Sequence, residues 1–233
     1  VLVTVGSVRG APGATALALD LVARWRRALG RPAVVVEADP DGGCLAARLG
    51  LAARPGLTEL AGAARSGLAD PGDVWAFAQV APPPGGRGEV SIVVGPAAAE
   101  PAQAALRAAS EPLAAGLGSG ADHDVVVDVG RLRPGSPALP LVAGADRRLV
   151  VTRGELEAVV ALSARRDLLT GLGDWRAMVI GGGYAPAEIE RVLGVAAVGI
   201  PDHGRDRRRE RALDVVLSSF DGPRSTDPVE ARR

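Results

Sequence analysis

Lysine is absent from the 233 residues: all 27 basic side chains are arginine, and 27 acidic ones balance them to a formal net charge of zero. That balance excludes a protein whose whole surface attracts nucleic acid, so any such contact must come from a local patch. A single cysteine, Cys44, excludes an intrachain disulfide framework and a cysteine-rich zinc site. Apolar runs are short and end in Gly, Pro or charge, well below the roughly 20 residues that cross a bilayer. The opening residues Val1-Leu2-Val3-Thr4-Val5 lack the basic start and small-residue cleavage site of a secretory signal. With the single thiol, these features set the expectation of a cytoplasmic protein without membrane insertion. Aromatics are scarce, at 3%, and Trp25, Trp75 and Trp175 lack the spacing of a stacking platform, so they read as packing residues.

What is present suits an ordinary folded domain. Hydrophobic residues make up 47% of the chain, and at this length folding hides roughly 70 to 75% of the unfolded surface, enough for a core without staples. Residues 2–6 form a β-branched run ending at Gly6, and residues 14–29 carry Leu17, Leu21 and Trp25 at helical spacing before Gly30 and Pro32. Residues 33–37 are a second apolar strand without alternation, as expected when both sheet faces are covered. Further strands are expected at 89–94, 124–129, 147–152, 177–180 and 196–200, and helices at 56–68, 102–117, 155–169, 187–193 and 206–219. The Pro/Gly stretch 82–88 reads as a surface loop.

Strands alternating with helices require right-handed crossovers, hence an α/β fold with a mostly parallel, doubly wound β-sheet and helices on both faces. No repeat or composition shift divides residues 1–220, which read as one domain; 221–233 is a polar tail expected to lack fixed structure. Ligands in such sheets bind beyond the carboxyl ends of the strands, which directs attention to the loops after Val5, Glu37, Val129, Ile180 and Ile200.

The first of these reads Gly6-Ser7-Val8-Arg9-Gly10-Ala11-Pro12-Gly13-Ala14-Thr15. Its glycines let backbone N–H groups face an anion, the following helix adds its positive end, and Thr15 stands where a phosphate loop places a magnesium ligand. The usual loop is G-x-x-x-x-G-K-[ST], and Ala14 occupies the lysine position. A compositional preference for arginine does not explain an alanine. The same residues also suit a plain strand-to-helix turn.

Arg9-Gly10-Ala11-Pro12-Gly13-Ala14-Thr15 resembles a degenerate form of the deviant Walker A motif, K-G-G-x-G-K-T, of the MinD/ParA family of P-loop ATPases. Gly10, Gly13 and Thr15 match; Arg9 replaces the family's signature lysine, Ala11 its second glycine and Ala14 its second lysine. Glu37-Ala38-Asp39-Pro40-Asp41-Gly42 is similar to the family's D-x-D-P-x-G, residues 125–130 to its Walker B strand, and Ile200-Pro201-Asp202 to its late proline loop. Within the family the loop is most similar to members that position secretion or pilus machinery, the CpaE/TadZ group.

The resemblance implies ATP and Mg²⁺ as cofactors and a nucleotide-driven homodimer. Gly10, Ala11, Pro12, Gly13, Ala14, Thr15 and Ala16 would bind the nucleotide together with Pro201 and Asp202, and Thr15 and Asp128 would hold Mg²⁺. Asp39 would orient the attacking water, Glu37 falls at the family's first carboxylate, and Arg9 would reach the partner's phosphates. Loss of the lysine that contacts the β- and γ-phosphates removes transition-state stabilisation, so hydrolysis is expected to be weak or absent. Gly181-Gly182-Gly183 departs from the family in the same direction, since an asparagine that contacts adenine often stands there.

Three functions follow: a spatial organiser or regulator for partitioning or for positioning machinery, a nucleotide-free scaffold working through protein partners, or an ATPase using Arg9 as replacement cation. Asp39 and Asp128 also suit the capping of turns. His123 and His203 are too isolated for a metal site and read as exposed loop histidines. The run Arg205-Asp206-Arg207-Arg208-Arg209-Glu210-Arg211 suits non-specific DNA contact less well than a helix start laced with local ion pairs.

Overall fold

The computed structural model describes residues 1–10, 13–67, 71–83, 88–118, 123–202 and 207–220. Ala11, Pro12, His203, Arg205, Asp206 and the 221–233 tail therefore lie outside the described residues. Eight strands form one sheet: β1 (Leu2–Ser7), β2 (Ala33–Glu37), β3 (Gln79–Ala81), β4 (Val90–Val93), β5 (Asp124–Arg131), β6 (Arg147–Gly154), β7 (Trp175–Gly183) and β8 (Ala197–Ile200). Their order is β3-β4-β2-β5-β1-β6-β7-β8, and only β3 is antiparallel to its neighbour. This is the α/β, mostly parallel arrangement that the strand and helix alternation implies.

The described helices are α1 (Ala14–Leu29), α2 (Leu45–Leu49), α3 (Leu57–Arg65), α4 (Ala99–Gly118), α5 (Leu139–Ala143), α6 (Leu156–Ser163), α7 (Arg166–Gly171), α8 (Pro186–Leu193) and α9 (Arg207–Ser218). Because successive strand residues point to opposite faces, Val34, Val36, Val125 and Val127 join one core with α3 to α8. Val3, Val5, Val35 and Val126 join a second core with α1, α2 and α9. Each central strand is thus largely apolar because each of its faces has its own helical layer to bury against.

Several details depart from the sequence expectation. Residues 155–169 split into α6 and α7, the break being tightened by a bond from the Arg165 N–H to the Leu162 carbonyl at 3.0 Å. The short β3 has too few residues to register as a strand, yet Gln79 within it ties down the loop before α3 through Ala52 and Pro55. His123, expected on the surface, is half-buried and meets Trp75 edge-on with ring centres 5.9 Å apart.

The arginine-rich start of α9 is used internally. Arg209 binds Asp20 at 2.6 Å and the Pro201 carbonyl, while Arg24 of α1 pairs with Asp214 at 2.8 Å and Glu210 at 3.3 Å. These pairs seat α9 on α1, so they run between helices and not within the charge run as expected. Among the described residues no helix is long and apolar enough to cross a membrane.

Candidate functional site

The carboxyl ends of β1, β2 and β5 bring the sequence-nominated residues together. β5 lies between the other two, and the register sets Asp128 beside Val5 on one side and Glu37 on the other. Beyond β1 lie Arg9 and Gly10, both exposed, and the description resumes at Gly13. Gly13 caps α1 with φ of 98°, a left-handed conformation that a side chain would strain. Ala14 is buried at the first turn, with Thr15 and Ala16 half-buried after it.

Thr15 faces Asp128. The nearby hydroxyl favours the charged form of the Asp128 carboxylate, which accepts the Gly130 N–H at 3.1 Å. Complete burial nevertheless pushes the Asp128 carboxyl up to about 6, and the charges of Asp39 and Glu37 add to the rise. Asp39 is half-buried, accepts the Asp41 N–H at 2.8 Å and is also raised, chiefly by burial, against the opposing pull of Arg131 and Arg133.

Glu37 has a different task from its neighbours. One carboxylate oxygen accepts the N–H groups of Cys44 (2.7 Å) and Leu45 (2.9 Å), and the other accepts that of Gly95 (2.9 Å). It joins the start of α2 to the end of β4, and burial still raises it. Its position beside Asp128 makes it part of the electrostatics, while its oxygens are engaged by backbone.

A divalent cation fits this arrangement in one manner only. Among the described residues no group of three or more His, Cys, Asp or Glu could hold a metal. An ion would therefore need Thr15, Asp128, water and ligand phosphate oxygens together, which is how Mg²⁺ is commonly held beside nucleotides. Three carboxylates raised chiefly by burial, each with a neighbouring carboxylate adding to the rise, are the electrostatic setting that such an ion relieves.

A groove of about 490 Å³ opens between the ends of β1 and β6, lined by residues that include Gly10, Val151, Thr152 and Glu155. β1 connects onward to β2 on one side and β6 to β7 on the other, so this is the switch point at which such sheets bind ligands. Arg9 lies in the groove, where it donates to the Glu157 carbonyl at 3.3 Å. Pro201 and Asp202 stand at the end of β8, and Asp202 accepts from Arg153 of β6 at 3.0 Å, close to Gly181.

Solved structures share this fold. A ParA family ATPase from Chlorobium tepidum superposes with a TM-score of 0.72 at 15% identity, covering 92% of this chain and 97% of the other. The chain has the ParA/MinD P-loop fold. MinD from Pyrococcus horikoshii, complexed with Mg-ADP, gives 0.71 at 16% identity over 94% and 95% of the two chains. A putative plasmid partition protein from Borrelia burgdorferi, bound to AMPPNP, gives 0.61 at 11% identity over 94% and 98%. No family model and no curated protein matches the chain.

Two residues at this site carried no role in the sequence reading. Arg131 is exposed at the end of β5, and a Cβ placed on Gly10 would fall 2.8 Å from its Nη2. Arg153 is the partner of Asp202. Neither belongs to a motif, and only the pairing of β5 with β1 and of β6 with β7 and β8 through the sheet brings them to the loops.

Proposed function

We propose that the chain is a MinD/ParA-like, Mg-nucleotide-binding spatial organiser or regulator, acting in partitioning or in the positioning of machinery, with weak or absent hydrolysis. The observation that carries this reading is the junction of Thr15 with Asp128, flanked by Asp39, at the carboxyl ends of three adjacent strands. Solved proteins of the same fold carry Mg-ADP and AMPPNP, and one is a MinC:MinD complex from Aquifex aeolicus. By analogy the switch would be a homodimer that recruits a protein partner. Gly10 to Ala16 would cradle the phosphates, Thr15 and Asp128 would hold Mg²⁺, Asp39 would orient water, and Pro201 and Asp202 would border the base. Ala14 supplies no charge to a developing transition state, a loss worth several kcal/mol of the order of a single electrostatic contact, so turnover should be slow even where binding persists.

The test is titration of the purified protein with ATP and Mg²⁺, read by calorimetry for binding and light scattering for mass. Binding accompanied by a monomer-to-dimer shift is the expected result, abolished by Thr15→Val or Asp128→Asn. Absence of binding at millimolar nucleotide overturns the reading.

One observation favours a second reading, a nucleotide-free scaffold. Asp202 is engaged by Arg153, and Gly181, Gly182 and Gly183 offer no side chain to a base. In that case restoring lysine with Ala14→Lys would create no nucleotide affinity.

A further inference from the structure

The arginines at this end of the sheet are not equivalent. Arg133 is tied to Asp41 at 2.8 Å, Arg153 to Asp202 at 3.0 Å, and Arg9 to the Glu157 carbonyl at 3.3 Å. The Arg131 side chain makes no hydrogen bond or ion pair among the described residues, although its charge is felt by Asp39. Its guanidinium lies against Gly10, where a Cβ would sit 2.8 Å from Nη2 and 3.9 Å from Cζ.

The backbone fixes that placement. Arg131 pairs with Ser7 beyond the irregularity between Val5 and Gly6, and the Leu132 N–H donates to the Ser7 carbonyl at 2.7 Å. The ladder between β1 and β5 thus continues to the mouth of the first loop, and the residue at its end extends over the glycine. The absence of a side chain at Gly10 is what allows the guanidinium to approach so closely.

We propose that Arg131 supplies, from the end of β5, the cation for the polyphosphate of a bound nucleotide that Ala14 does not provide. This rests on the nucleotide-binding reading above and names the residue on which its affinity depends. A guanidinium is permanently charged and offers a planar fork matched to two phosphate oxygens, so it can replace an ammonium arriving from another direction. Its charge also acts on the half-buried carboxylate of Asp39.

The test compares Mg-ATP binding by calorimetry in the unaltered protein, Arg131→Gln, Arg131→Lys and the double variant Arg131→Gln with Ala14→Lys. Loss of a charge-assisted phosphate contact is expected to weaken binding by about 10- to 100-fold in Arg131→Gln. Arg131→Lys should retain part of the affinity, and lysine at position 14 should restore most of it. Because the side chain is exposed, the unfolding midpoint of ligand-free Arg131→Gln should match that of the unaltered protein. Equal affinity in Arg131→Gln and the unaltered protein overturns the role of Arg131 and leaves the nucleotide reading standing. No binding by the unaltered protein overturns that reading, and the role of Arg131 with it.

Discussion

The hydroxyl of Thr15 lies close enough to the carboxylate of Asp128 to favour its charged form, so the first turn of α1 meets the carboxyl end of β5. A helix start and a central strand separated by more than a hundred residues thus come together at the mouth of the sheet. This proximity partly offsets the burial of Asp128, whose carboxyl nevertheless stands at about 6 against an ordinary 3.8.

That elevation has a defined sign. A carboxyl raised in the folded state favours folding fully below its unfolded value, and the contribution is lost as pH rises through about 6. In metal-free buffer at pH 7.5, Asp128→Asn removes the buried charge and should be more stable than the unaltered protein by about 2 to 3 kcal/mol. The difference should vanish near pH 4. Denaturant unfolding across this range checks it, and parallel pH curves for the two proteins would refute it.

Glu37 is expected to matter for architecture. Glu37→Ala leaves the N–H groups of Cys44, Leu45 and Gly95 without their acceptor, at a cost of about 2 to 4 kcal/mol. Glu37→Gln offers a single carbonyl oxygen and a competing N–H donor, so its loss should be intermediate. Unfolding curves, with faster hydrogen exchange at the Leu45 and Gly95 amides, would show the effect.

Gly130 tests the placement of Asp39. It adopts φ of 59°, and a Cβ there would lie 2.1 Å from the Asp39 Cγ. Gly130→Ala should cost about 1 to 2 kcal/mol for the left-handed backbone, plus the displacement of Asp39. Combined with Asp39→Ala, only the backbone share should remain. Additive costs in this double-mutant cycle would contradict the contact.

At the other end of β5, Asp124 is buried and accepts the Trp25 Nε1–H at 2.6 Å and the Arg31 guanidinium, while Trp25 stacks on Phe220 at 5.6 Å. Asp124→Ala should destabilise the protein by about 3 kcal/mol, since it strands a buried indole N–H and a guanidinium. Asp124 lies four residues before Asp128, roughly 13 Å along the strand, so any Mg-nucleotide affinity should be unchanged below the shifted melting temperature. A calorimetric titration of the variant, alongside its thermal melt, separates the two effects.

How much was legible beforehand follows from the range of the interactions concerned. The α/β layering is written in local patterns: short apolar runs read as strands, helical spacing in residues 14–29, and Gly or Pro at the joints. The nomination of Thr15 came from the phosphate-loop pattern and that of Asp39 and Asp128 from the resemblance to the MinD/ParA motifs, each carried by a short stretch of sequence. The break between α6 and α7 and the three-residue β3 were not legible, since tertiary packing outweighs weak local preference in segments so short.

The sequence by itself determined the parallel sheet, its two apolar faces and the absence of a cation at position 14, all of which depend on residue type and near spacing. Only the tertiary structure decided which charges meet. Arg131 comes to lie over Gly10, Arg153 over Asp202, and Glu37 beneath Gly95 because strands distant in sequence are hydrogen-bonded neighbours. Electrostatic partnership falls steeply with distance in space and is indifferent to distance along the chain, so only the ordering of strands brings these groups within reach.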